Sequence, residues 1–385
     1  MDGIDIADWA PRASALADHM VAAGVLTDLA WRAAFAATPR HRYVPAIVDN
    51  GQLITTDDPR WLDMVYADEA LTTQVRQVPA GTTEVSVPSS SSSKPSVMAS
   101  MLELLQAREG HRVLEIGTGT GYNAALLSHR LGSDMVGSIE LDPDLADSAR
   151  ERLASTGRHP RIVVGNGAAG WPEGGPFDRI IATCAVSSIP PAWIDQLAPE
   201  GRIVAPLDAA TAGPLLVLDK TADDEVVGVI DPFPALFMPL RDDVSNPLAP
   251  GRVLSTGVFG VPHYGMTALD PATALDPDFA LFLWLHAPGI QMGRMDKQDL
   301  VVAHRGRVRA EASLSPNGDG KHRVRQYGHY RLWDIVEHAA SAFDNLGRPG
   351  ANRMGVTAAN VTGCQYVWLD DAEGDHSWPL TGSAD

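Results

Sequence analysis

The sequence predicts an α/β fold on a mostly parallel sheet, and three features predict it. Strand-like and helix-like segments alternate from Arg112 to Ala198, a glycine-rich loop joins the first such strand to its helix, and a short connection, Ala222 to Glu225, closes the run as a hairpin. Strands alternating with helices imply right-handed crossovers, which lay successive strands parallel.

Taken in order, Ala15 to Ala37 reads as helical, and TPRHRYVP, Thr38 to Pro45, ends it with a proline near each edge. After Tyr66, β-branched residues flank a Pro-Ala-Gly turn, which predicts a hairpin ahead of the serine run Ser89 to Ser93. Composition alone would make that run a flexible linker, but SVMASMLELL follows it as an amphipathic helix with no glycine spacer. The alternation then begins. Strand RVLEI (Arg112 to Ile116) precedes helix YNAALLSHRL, DMVGSIE (Asp134 to Glu140) precedes PDLADSARERL, RIVVGN precedes a loop, and FDRIIAT precedes PPAWIDQLA. GRIVAPL, PLLVLDK, EVVGVI and PALFMPL continue as β-rich pieces, so an antiparallel pair is expected at the sheet edge. Beyond Arg241 aromatic, proline-interrupted segments take over. The expected divisions are a lead-in over 1–85, a cofactor-binding domain over 86–240 and a separate α+β region over 241–385, with Trp284, Trp333 and Trp368 read as core.

Composition narrows the function. The chain has 385 residues and a net charge of −18, from 30 Lys and Arg against 48 Asp and Glu, which opposes a nucleic-acid backbone as partner. No apolar run reaches the roughly 20 residues of a membrane span, and the N-terminus lacks the order of a signal peptide, so no membrane association and a cytoplasmic location are expected. Two cysteines, Cys184 and Cys364, are too few for a disulfide framework or a cysteine metal cage. The twelve histidines form no metal-ligand pattern, and His41 and His159 read as structural or surface residues. No metal is expected.

The sharpest local signal is VLEIGTGTGYNAALL, with Gly117, Gly119 and Gly121 between a strand and a helix. Glycines let the backbone approach a ligand, and the helix start offers free N–H groups. Glu140 ends the next strand, where a carboxylate can accept from both hydroxyls of a ribose. Tyr122 stands where a dinucleotide fingerprint has its third glycine, so an adenosyl cofactor without a pyrophosphate fits better than NAD.

Together AFAATPRHRYVP, VLEIGTGTGYNAALL, SIELDPDLADSARERL and AAGWPEGGPFDRIIATCAVSSIPPAWIDQLAPEGRIVAPL closely resemble the protein-L-isoaspartate O-methyltransferases, from about Leu16 to Leu240. The resemblance implies a class I, Rossmann-like methyltransferase fold over the middle division and S-adenosylmethionine as cofactor. It implies that Gly117, Thr118, Gly119 and Gly121 cradle the methionine part and that Glu140 binds the ribose. The family's Gly-Asp-Gly is Gly165, Asn166, Gly167 here, and an Asn amide oxygen can still accept from the adenine amino group. Its Thr-x-Ser-x-Pro segment aligns with Ser91 to Pro95, which makes Ser93 the catalytic counterpart. Ser91, Ser92, Glu115, Tyr122 and Leu141 are expected to complete the cofactor site, and Ser89, Ser90 and Lys94 to meet the substrate. Implied, too, is the chemistry: an Asp or isoaspartyl carboxylate is methylated, and the ester closes to a succinimide. The C-terminal extension and the serine run resemble longer actinobacterial homologues that modify Asp in cyclised ribosomal peptides of the lanthipeptide, lasso or graspetide type, and the aromatic-rich region 241–385 is expected to help recognise the cyclised precursor. General repair of isoaspartyl proteins and non-catalytic peptide binding are the alternatives.

Overall fold

The computed structural model describes residues 8–80, 83–209, 213–244, 260–295 and 299–380, and the elements below are those of the described residues. The lead-in folds as helices α1 (Trp9–Ala22) and α2 (Leu29–Ala37), strands β1 (Ala46–Asp49) and β2 (Gln52–Thr55), helix α3 (Trp61–Val65) and a long hairpin of β3 (Leu71–Ala80) and β4 (Thr83–Ser92). Helix α4 (Pro95–Leu105) leads into β5 (Val113–Ile116), α5 (Tyr122–Leu131), β6 (Val136–Glu140), α6 (Pro143–Ser155), β7 (Arg161–Val164), β8 (Phe177–Ala182), α7 (Pro191–Gln196), β9 (Leu197–Pro206), β10 (Leu215–Ala222) and β11 (Glu225–Asp231). The remainder comprises β12 (His263–Thr267), α8 (Pro277–His286), β13 (Gln291–Met295), β14 (Leu300–Arg305), β15 (Val308–Ser313), β16 (His322–Tyr327), α9 (Leu332–Asn345), β17 (Met354–Ala359), β18 (Gln365–Leu369) and β19 (Ser377–Pro379).

Ten strands form one sheet in the order β19-β18-β17-β11-β10-β9-β8-β5-β6-β7. Strands β9, β8, β5, β6 and β7 are parallel; the rest pair antiparallel, beginning with β10 on β9. Alternate residues of each central strand serve opposite faces. Val113, Ile181, Val204 and Leu215 pack with the lead-in and helices α4 and α5, whereas Leu114, Ile180, Ile203 and Leu216 pack with α7, α8 and α9. Both faces of the parallel core are therefore covered, which is why β5 is buried at all four positions.

Two expected boundaries are crossed by backbone pairing. Position 85/86 falls inside β4, because the hairpin expected ahead of the serines continues through them: Ser92 pairs with Leu71, Ser91 with Thr72 and Ser90 with Gln74. The run is a strand held by a ladder, not a linker. Nor is 241–385 wholly separate, since β17 pairs with β11 and carries β18 and β19 into the main sheet. The other C-terminal strands form a sheet of their own, β12-β16-β15-β14-β13. Helix α8, apolar on all sides, is buried from Phe279 to Leu285, as a helix enclosed on all sides requires. Trp284 and Trp333 are buried with it, while Trp368 lies half-buried over Gly355, where any β-carbon would sit 2.1 Å from the indole.

Candidate active site

Strand β5 delivers the chain to the glycine loop, and the three glycines do different work there. Gly117 turns at φ +94°, with its N–H on the Ile139 carbonyl at 2.8 Å and no room for a β-carbon beside Thr183 Oγ1. At Gly119, φ is +52°, and a β-carbon would lie 3.7 Å from the Ser91 carbonyl oxygen, so the serine strand passes directly over the loop. Gly121, at φ +87°, lets the start of α5 close onto Ala149 and Leu153 of α6. Its neighbours Thr120 and Tyr122 border the pocket, and Gly121 itself serves the packing of the two helices.

The pocket is bordered by Ser89 to Ser93, Glu115, Gly117, Thr118, Gly119, Tyr122, Glu140, Leu141 and Gly167 among the expected residues. Glu140 is buried at the end of β6; its Oε2 accepts the Gly119 N–H at 2.7 Å and its Oε1 accepts the Asp142 N–H at 3.1 Å. Burial holds its carboxyl above the ordinary range, although both N–H groups and the nearby Arg241 charge oppose that shift.

Beneath the loop lies a buried chain of hydroxyls. Ser138 Oγ donates to Glu115 Oε2 at 2.5 Å, so Thr118 Oγ1 is the donor in its 2.6 Å bond to Ser138, and Asn123 Nδ2 donates to Glu115 Oε1 at 2.8 Å. Glu115 thus braces the loop from below. Burial pushes its carboxyl from 4.5 up to about 7, against its two hydrogen bonds and with a lesser push from the Glu140 charge. Within that window the folded protein binds more protons than the unfolded chain, so stability falls as pH rises from about 4.5 through about 7. The displacement corresponds to about 3 kcal/mol. Glu115→Gln keeps an acceptor for Asn123 and removes the titration. Melting temperatures at about pH 5 and about pH 8 should therefore draw together in the variant; an unchanged gap would mean that other groups carry the pH dependence.

The serine strand is fixed from several sides. Ser89 Oγ donates to Gln74 Oε1 at 2.6 Å, Thr73 Oγ1 donates to Ser90 Oγ at 3.2 Å, and the Ser89 carbonyl accepts from Arg241 at 3.0 Å. Arg40, fully buried, donates to the carbonyls of Val65 (2.9 Å), Ala67 (3.0 Å), Glu69 (3.0 Å) and Ser93 (3.1 Å). The Ser92 hydroxyl lies 3.4 Å from the same guanidinium, and Ser92 also borders the pocket. Ser93 stays half-buried at the pocket wall.

Three further expectations need correction. Lys94 lies outside the pocket lining and pairs with Asp68 at 3.6 Å, so its charge is already met. Asn166 is exposed and outside the lining; its Oδ1 caps the following turn through the Ala168 N–H at 2.9 Å, leaving Gly167 as the pocket residue. Tyr122 borders the pocket, but its ring packs edge-on against Phe35 and near Tyr43 and the Arg40 guanidinium, in the lead-in core. His41 is structural: it is buried, its Nδ1 lies 2.8 Å from the Tyr66 hydroxyl, and burial lowers it to about 4.

Sequence reasoning missed Arg40, Arg241 and Cys184. The last borders the pocket, but burial pushes its thiol up to about 12, so it stays protonated and is no nucleophile at neutral pH. Arg241 directly follows the last β-rich piece, and only its position at a supposed boundary could have flagged it.

The set fits an adenosyl cofactor. Gly117, with no space for a β-carbon beside Thr183, a carboxylate at the end of the adjacent strand, and Gly167, where a β-carbon would lie 2.6 Å from Ile116 Cγ2, leave a slot for a flat ring and a diol. S-adenosylmethionine is the cofactor that this fold and these residues take.

Comparison with known proteins agrees. The family "Protein-L-isoaspartate(D-aspartate) O-methyltransferase (PCMT)" matches residues 12–245. A protein-L-isoaspartate O-methyltransferase 1 of Anaeromyxobacter sp. is 39% identical over 229 residues, 59% of this chain and 95% of that protein. A protein-L-isoaspartate O-methyltransferase of Methanopyrus kandleri is 35% identical over 191 residues, 49% of this chain and 73% of its own. A solved protein-L-isoaspartate O-methyltransferase, 21% identical with a TM-score of 0.51, covers 92% of this chain and 99% of its own, so the shared fold takes in the C-terminal region. With the class I methyltransferase sheet, the braced glycine loop and a match over more than half its length, this chain belongs to the protein-L-isoaspartate O-methyltransferase family.

Proposed function

We propose that this protein methylates an Asp or isoaspartyl carboxylate in a peptide, and that its substrate is a constrained ribosomal peptide undergoing maturation. The observation that carries the reading is the serine strand, which lines the same pocket as Gly117 and Gly119 with Ser89 to Ser93 and leaves room for no more than a β-carbon between the Ser91 carbonyl and Gly119. Bound there, S-adenosylmethionine supplies an electrophilic methyl group.

The residues have little proton transfer to perform. A carboxylate is already a nucleophile at neutral pH, so orientation supplies most of the acceleration. The Ser93 hydroxyl donates to the carboxylate oxygen that is not attacking, while Arg40, through the Ser93 carbonyl, holds the segment in place. After transfer, the next backbone nitrogen attacks the ester carbonyl, loses its proton, and methanol departs to leave a succinimide. Water then opens the ring to Asp or isoAsp.

Ser93→Ala is expected to lower kcat by about tenfold to a hundredfold, the worth of one hydrogen bond to a charged group, with S-adenosylhomocysteine affinity held within about twofold. Unchanged kcat would remove Ser93 from the site. Peptide maturation is tested by methyl-labelled cofactor offered with an isoaspartyl reference peptide and with the cyclised product of a neighbouring peptide gene. Turnover of the reference peptide alone would leave general repair, the reading that the 39% identity to the Anaeromyxobacter protein favours.

A further inference from the structure

Cross-strand register places a distinctive set of side chains on the outward face of the five-stranded C-terminal sheet. Tyr264 pairs with Arg325, Met266 with Arg323, Glu311 with Arg325 and Arg309 with Tyr327, so these residues share one side. The opposite side, with Val324, Ala310, Ala312 and Val301, is buried beneath α9. On the outward side Tyr264 is 77% exposed and Met266 is 45% exposed, and Arg323 is exposed with no ion pair to a described residue. Arg309 and Arg325 are both held by the buried Glu311 carboxylate, at 2.7 Å and 2.6 Å.

That clamp sets two guanidiniums beside each other on a strand surface, so little side-chain entropy remains to be lost when a ligand arrives. The local charge also reverses that of the chain. From Gln291 to Arg331 nine Lys and Arg stand against four Asp and Glu, in a protein of net charge −18. Apolar contact area next to the cations comes from Tyr264 and Met266, on a strand that is the outermost of its sheet among the described residues. An outer strand can receive an extended chain by backbone pairing.

We infer that this face docks an acidic, extended peptide segment of the substrate, outside the residue that is methylated. The inference rests on the reading above that the substrate is a peptide. A peptide fits better than a nucleic acid, because a chain of net charge −18 repels a continuous phosphate backbone at long range while local arginines can still meet separated carboxylates.

Two measurements test it together: fluorescence anisotropy of a labelled Glu-rich extended peptide at low salt, and methyl transfer to an isoaspartyl peptide with and without that acidic extension. The double substitution Arg323→Glu with Tyr264→Ala changes only exposed side chains, and circular dichroism checks that the fold stands. The variant should bind the probe about tenfold more weakly and show KM raised by about the same factor for the extended substrate, with kcat and the KM of the unextended peptide unchanged. Probe binding indifferent to the substitutions, an oligothymidylate that binds as tightly as the peptide, or a dimer that the substitutions dissolve would each overturn the inference. Probe binding that the substitutions weaken, with no methyl transfer to any peptide, would support the docking face and sink the functional reading instead.

Discussion

Replacing Glu140 by alanine should weaken S-adenosylhomocysteine binding by about a hundredfold or more, measured by titration calorimetry. A carboxylate that accepts from both hydroxyls of a ribose makes two charge-assisted bonds, each worth about 1.5 to 3 kcal/mol, and about 3 kcal/mol is already a hundredfold. The second effect runs through the loop. Glu140 Oε2 accepts the Gly119 N–H, so its removal also frees the residue that lies beneath the serine strand. Glu140→Gln should fall between, because its amide can present one acceptor but must turn a donor toward either the Gly119 or the Asp142 N–H. Since burial raises the Glu140 carboxyl, wild-type affinity should decline as the medium is acidified toward that raised value, and the alanine variant should lack this part of the decline. Affinity within twofold of wild type would dissociate Glu140 from the cofactor.

The parallel core and this carboxylate were legible because they are local: strand, glycine loop, helix and an acidic strand end follow one another within about thirty residues, each with its own pattern. What escaped was long-range. Strands β17 to β19 join the main sheet beside β11, across a C-terminal sheet and two helices, and no periodicity encodes a partner that distant. The serine run misleads for a different reason. Its low complexity signals flexibility, yet its ladder with Leu71 to Gln74 and its carbonyl bonds to two arginines order it, and none of those partners is adjacent in sequence. Lys94 and Asn166 show the limit of aligning roles by position. Each keeps the expected place in the chain, but Asp68 and the Ala168 N–H respectively claim the group that was to meet a ligand.

Arg40 is the extreme case, since an arginine between two prolines reads as surface and here has no exposure at all. Desolvation lowers its pKa to about 10, against a smaller opposing effect of the nearby Asp68 charge, still high enough for a full charge at neutral pH, and among the described residues no carboxylate forms an ion pair with it. The charge is met by carbonyl oxygens of Val65, Ala67, Glu69 and Ser93, drawn from the lead-in and from the serine segment. Arg40→Met keeps the volume and removes every donor, which leaves the buried Val65 carbonyl and the part-buried Ala67, Glu69 and Ser93 carbonyls without this partner. A loss of about 4 kcal/mol is expected, read as a clear fall in the urea midpoint, because orphaning buried polar groups costs more than the net worth of the bonds. Arg40→Lys should recover only part of it: an ammonium has three donors for four carbonyls and no planar fork to reach them. The two variants separate stability from function. In the lysine variant, assayed where it remains folded, S-adenosylhomocysteine affinity should hold while kcat falls, because the Ser93 carbonyl, at 3.1 Å, is the longest of the four contacts and the proposed mechanism gives the Ser93 hydroxyl to the substrate. Equal losses of affinity and kcat would mean that Arg40 supports the fold alone.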